Sequence, residues 1–81
     1  ELDAKRRKLE EEEKAKQQAD EAKQAKDRAE NCTRAKAYQR TLNDGIRISR
    51  TNSQGEREIL DDAGRADEMR RTLDAIKDNC Q

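Results

Sequence analysis

The sequence predicts a mostly α-helical fold: a long N-terminal helix, a β-hairpin, and a second helix packed antiparallel on the end of the first and closed by a disulfide. Three observations predict it. Residues 1 to about 42 are mostly strong helix formers without Gly or Pro, an alternating segment with a Gly-containing turn follows, and a second helical pattern ends beside the second of two cysteines. We expect a charged helical arm at 1–31 and a disulfide-closed helix–hairpin–helix module at 32–81.

The composition argues against several classes of function. Charged residues make up 47% of the 81 residues, and the formal net charge is zero, whereas a nucleic-acid binder would need a basic excess. No apolar run approaches the length of a membrane span. Without His there is no Ser/His/Asp or Cys/His set, and a unit this thin has little volume for a pocket. We therefore expect no enzymatic activity, no cofactor, no nucleic-acid partner and no membrane span.

The arm is charged on most of its surface. Residues 1–31 hold 10 acidic and 9 basic residues, with acidic residues often four positions before basic ones, an arrangement that stabilises helices. Its apolar positions follow steps of three or four, which places them on one face of the helix. The alanine stripe of this face has no partner within the chain, so it favours a weak homodimer; its members are Ala15, Ala19, Ala22, Ala25 and Ala29.

A hairpin should follow the long helix, which we expect to end near Gly45. The alternation from Ile46 to Thr51 is typical of a half-buried strand, and 52–55 form a four-residue turn in which Gly55 takes a positive φ. Residues 56–60 return as the second strand. Pairing Thr51 with Glu56 would set Ile48 opposite Ile59 on one face.

The second helix should begin at the capping pair Asp61-Asp62. Its apolar positions, from Ala66 to Cys80, are spaced three and four apart and form a narrow seam for one partner helix. If this helix runs antiparallel with Cys80 beside Cys32, large residues of the seam meet small or apolar residues of the first helix. The predicted core consists of Tyr38, Leu42, Ile48, Ile59, Met69, Leu73 and Ile76.

The two cysteines favour a disulfide. Their wide spacing fits neither a redox CxxC motif nor a zinc site, which needs four ligands, so we expect no metal. A Cys32–Cys80 bond is typical of an oxidising compartment and would stabilise a small core by closing a long loop. The alternative is a single-helix tether with two reduced thiols in the cytoplasm.

Three hairpin arginines are candidate anion contacts: Arg47, Arg50 and Arg57. In the predicted strand pairing Arg50 and Arg57 stand opposite one another, which is unfavourable unless they splay into water or meet an anion. Binding of an anionic ligand of the cell envelope is therefore an alternative function.

Motifs across residues 30–81 resemble one protein family. They are Asn31-Cys32, Leu42, Gly45, Arg47, Asn52, Gly55-Glu56, Leu60-Asp61-Asp62, Arg65 and Asn79-Cys80. This order and spacing are similar to the C-terminal region of uncharacterised Gram-negative envelope proteins that carry the domain of unknown function 4124. The resemblance implies a periplasmic location and supplies no catalytic residue.

The function expected from the sequence is a non-enzymatic structural or protein-interaction module of the periplasm, with an envelope protein or a second copy as its partner. The chain begins at Glu1 without an initiator Met or a signal peptide, so we expect a processed protein or a fragment.

Overall fold

A computed structural model describes every residue from Glu1 to Gln81. Helix α1 spans Leu2–Asn43, strand β1 Ser49–Thr51, strand β2 Arg57–Ile59 and helix α2 Asp62–Asn79. The two strands form an antiparallel hairpin, and α2 packs on α1. The predicted fold class and order of elements are confirmed.

The long helix makes the molecule elongated. At about 1.5 Å per residue, α1 is about 63 Å long, and the longest dimension of the molecule is 67 Å. Every residue from 1 to 31, the alanine stripe included, is exposed. Two ion pairs lie on this part, Asp3–Arg6 at 2.9 Å and Lys23–Asp27 at 3.1 Å, and neither has the acid-first spacing of four expected from the sequence. We call residues 1–31 the arm and residues 32–81 the head.

The end of α1 is set by Gly45, as predicted. Gly45 adopts φ +72°, and its N–H donates to the carbonyl of Leu42 at 3.2 Å, while the N–H of Ile46 donates to the carbonyl of Thr41 at 3.4 Å. These two bonds satisfy carbonyls that the last helical turn leaves without partners. The chain reverses here and enters the hairpin.

The hairpin register differs from the prediction by one residue. Ser49 pairs with Ile59 and Arg50 with Glu58, so Ile48 lies opposite Leu60, whose N–H donates to the carbonyl of Ile48 at 2.9 Å. Because side chains alternate between the two faces of a strand, this shift exchanges the faces of β2. Leu60 is 7% exposed and Ile59 is 54% exposed. The assignment of Ile59 to the core was therefore wrong.

The loop explains the shift. The N–H of Asn52 donates to the carbonyl of Glu56 at 2.8 Å, so the loop between paired residues holds three residues, 53–55, rather than four. Gly55 takes φ +82°, as the closing residue of such a loop requires. The Asn52 side chain accepts the N–H groups of Gln54 and Glu56, both at 2.9 Å, and this fixes the turn.

Helix α2 begins where it was predicted to begin. The carboxylate of Asp61 accepts the N–H of Gly64 at 2.7 Å, which confirms that Asp61 caps the helix. Asp62 adds a second acidic residue at the start of the helix, where its negative charge interacts favourably with the helix dipole.

The core is small and differs from the predicted one at two positions. Leu42 and Leu60 are its buried apolar side chains, while Leu73 is 48% exposed and was wrongly assigned to it. Thr72 is buried instead, and its hydroxyl donates to the carbonyl of Glu68 at 2.7 Å. Leu42 was correctly predicted as buried. The remaining predicted core residues are half-buried: Tyr38, Ile48, Met69 and Ile76.

Candidate functional site

The head is closed by the predicted disulfide. Cys32, in the last third of α1, is bonded to Cys80, directly after the last residue of α2, with a Cα–Cα distance of 5.0 Å. The two residues are 48 positions apart, so the bond closes nearly the whole head into one loop. Both cysteines are half-buried.

A second clamp, which was not predicted, holds the other end of the head. The guanidinium of Arg65, in the first turns of α2, donates to the carbonyl of Leu42 at 2.8 Å and to the carbonyl of Ile46 at 2.9 Å. A cation is favourable there because the C-terminal end of a helix carries partial negative charge. Arg65 belongs to the motifs that carry the family resemblance, and this was its one signal in the sequence.

Between these clamps lies an ionic junction formed by Tyr38, Arg50, Glu58 and Glu68. Arg50 donates to Glu68 at 3.1 Å, and its Nε lies 3.7 Å from the carboxylate of Glu58. The exposed fraction of the side chain is 38% for Arg50 and 20% for Glu68, so the pair is partly shielded from water. The ionic junction thereby connects the hairpin to α2.

Tyr38 brings α1 into the same junction. Burial raises the pKa of its hydroxyl above the usual 10.0, and the nearby negative charge of Glu68 raises the pKa further. Arg50 and Arg65 act in the opposite direction, and the net shift is upward. The sole aromatic residue is thus half-buried among charged groups.

The ionic junction also explains how α2 is rotated. Arg65, Glu68 and Thr72 lie on one face of α2, since residues three and four apart are neighbours on a helix. Arg65 donates a hydrogen bond to a carbonyl of α1, and Glu68 accepts one from Arg50 of the hairpin. This face of α2 therefore turns inward. Leu73 follows Thr72 by about 100° around the helix and is left at the edge.

The three candidate anion-binding arginines do not converge on one point. Arg50 and Arg57 were predicted to face each other, but the observed register pairs Arg50 with Glu58 and Arg57 with Thr51, on opposite faces of the hairpin. Arg57 donates to the hydroxyl of Ser49 at 3.3 Å, and Arg47 is exposed and makes no ion pair. The like-charge contact on which the anion hypothesis depended is absent.

The groove beside the ionic junction, of about 710 Å³, is lined only by polar and charged residues. No group of three or more His, Cys, Asp or Glu side chains is placed to hold a metal ion. Neither helix contains a segment that is both long and apolar enough to cross a bilayer.

Comparisons with protein-family models, with curated protein sequences and with solved structures found no significant match for this chain. The resemblance to envelope proteins with the domain of unknown function 4124 therefore stays a hypothesis from the sequence.

Proposed function

We propose that this chain is a non-enzymatic structural or protein-interaction module of the bacterial periplasm, in which the arm is the element that contacts a partner. The observation that carries the proposal is the exposure of every residue from 1 to 31 on a helix continuous with a cross-linked head. Such a helix acts as a semi-rigid spacer with one uncovered apolar face.

The disulfide and the family resemblance both support the periplasm as the compartment. Disulfides persist in oxidising compartments such as the periplasm and are rare in the cytosol. Producing the chain with and without a secretory signal in a Gram-negative host tests this part. If the bond needs the periplasm, non-reducing mass analysis should find Cys32–Cys80 only in the exported sample. A bond in both samples would show that it also forms in the cytoplasm. Two free thiols in the exported protein would contradict the proposal.

The partner that the arm favours is a second copy. The alanine stripe is symmetric about Ala22, with steps of three and then four residues on either side. In an antiparallel pair centred on Ala22, alanine meets alanine at all five positions, as the two-fold symmetry of a dimer requires. Alanines allow close approach of the helices but bury little area, so the dimer should be weak.

Sedimentation equilibrium over a wide concentration range tests this pairing. Ala22→Glu places two like charges at the symmetry axis and should abolish association, whereas Gln24→Glu lies about 200° around the helix and should not. A monomer at the highest concentration, or an equal effect of both variants, would exclude the stripe as the contact. Photo-crosslinking from the same two positions in cells would then identify or exclude a different envelope protein as the partner.

A further inference from the structure

A groove borders Cys32, one of the two residues of the disulfide. It measures about 320 Å³ and is lined by Ala25, Arg28, Ala29, Cys32, Asn79 and Gln81. Cys32 is therefore reached from the arm side, and Cys80 is not among the lining residues. Of the two bonded residues, Cys32 is the one that borders this groove.

The groove also carries a positive charge. Arg28 lies four residues before Cys32, so the two side chains share a face of α1. Arg28 is exposed and takes part in no ion pair or side-chain hydrogen bond, unlike Arg50 of the ionic junction. Its guanidinium is available to attract an anion that approaches Cys32.

The two cysteines also differ in how the chain holds them. Cys32 lies within a continuous helix, whereas Cys80 lies just after the last residue of α2 and has extended backbone angles. A sulfur released from Cys80 can move away from the arm, while a sulfur released from Cys32 stays in place. The departure of Cys80 therefore needs no movement of α1.

From these three features we propose that the groove is a site of thiol–disulfide exchange for a small anionic thiol of the glutathione class, with attack on Cys32. The thiolate attacks Sγ of Cys32, a new S–S bond forms there, and the Cys32–Cys80 bond breaks. The electron pair leaves with Sγ of Cys80, which takes a proton from water. A second thiol then displaces the first as a small-molecule disulfide, so two thiols are oxidised and the protein disulfide is reduced.

The first experiment locates the attack. The oxidised full chain is treated with glutathione, quenched in acid at early times to stop exchange, and mapped by peptide mass spectrometry. Glutathione should be attached to Cys32 in most of the trapped molecules, with Cys80 as the free thiol. Equal labelling of the two cysteines, or a majority on Cys80, would overturn the assignment.

The second experiment tests the role of Arg28. Arg28→Gln should slow reduction by glutathione about threefold at low salt, as expected for the loss of one exposed charge near the reacting atom, and the difference should shrink at high salt. The neutral thiol 2-mercaptoethanol should reduce this variant and the unmodified chain at equal rates. Arg34→Gln is the matched control, because residues two apart face away from each other and Arg34 does not line the groove.

Each outcome of the second experiment decides the question. Slower reaction of the Arg28 variant with glutathione alone supports a site for anionic thiols. Equal slowing with both thiols would indicate a changed helix rather than a lost charge, and no slowing, or the same slowing in Arg34→Gln, would also contradict the role of Arg28.

Discussion

Removal of the disulfide should release α2 and the hairpin from α1. The perturbation is the double substitution Cys32→Ser and Cys80→Ser. The bond joins residues 48 positions apart, and closing a loop of this length in the unfolded chain stabilises the folded state by about 4 kcal/mol in the chain-entropy model. Small domains have a total free energy of unfolding of about 5 to 15 kcal/mol. With Leu42 and Leu60 as its buried apolar side chains, the head has little core to replace that contribution.

Circular dichroism measures the expected loss directly. Helix α1 has 42 residues and α2 has 18, so release of α2 removes 18 of 60 helical residues, or about 30% of the helical signal, if α1 stays helical. The thermal transition of the head should disappear or move below room temperature. The same change should follow when the unmodified chain is reduced.

The control is the double substitution Asn31→Ser and Gln81→Ser, which changes the exposed neighbours of the two cysteines and leaves the bond intact. It should melt like the unmodified chain. If the cysteine-free variant kept the full helical signal and the same melting temperature, the core and the Arg65 clamp would suffice, and the inferred dependence on the disulfide would be refuted.

Three further predictions test the register, the ionic junction and the titration of the head. Leu60→Ala should lower the free energy of unfolding by about 2 to 3 kcal/mol, and Ile59→Ala by less than about 1 kcal/mol, because Leu60 is 7% and Ile59 54% exposed. Arg50→Met should cost about 1 to 2 kcal/mol, less at high salt, since it leaves the half-buried Glu68 unpaired. The raised pKa of Tyr38 means that its stabilising contribution is complete below pH 10.0 and is lost as the pH rises through the folded-state pKa.

The measurements for these predictions are direct. Denaturant titration of the oxidised variants gives the free energies, and equal costs for the Leu60 and Ile59 variants would contradict the observed hairpin register. A salt-independent cost of Arg50→Met would show that packing, not charge, holds the ionic junction. Absorbance titration of the sole tyrosine should give a midpoint above 10.0, and Tyr38→Phe should reduce the alkaline loss of stability.

Several features could be predicted because they depend on a few adjacent residues or on counting. Gly45 ends α1, Gly55 takes the positive φ of the turn, and Asp61 caps α2, each through local backbone chemistry. The pairing of Cys32 with Cys80 followed from the presence of two cysteines and from a helix pattern that runs antiparallel between them.

The faces of the hairpin and of α2 were decided only by the tertiary structure. Ile59 and Leu60 are adjacent and both apolar, so the sequence pattern allows either one to face inward, and the three-residue loop held by Asn52 selects Leu60. Polar contacts of Arg65 and Glu68 with other elements then turn Thr72 inward in place of Leu73. Local sequence thus determined where each element begins and ends, and contacts between distant residues determined which side of each element is buried.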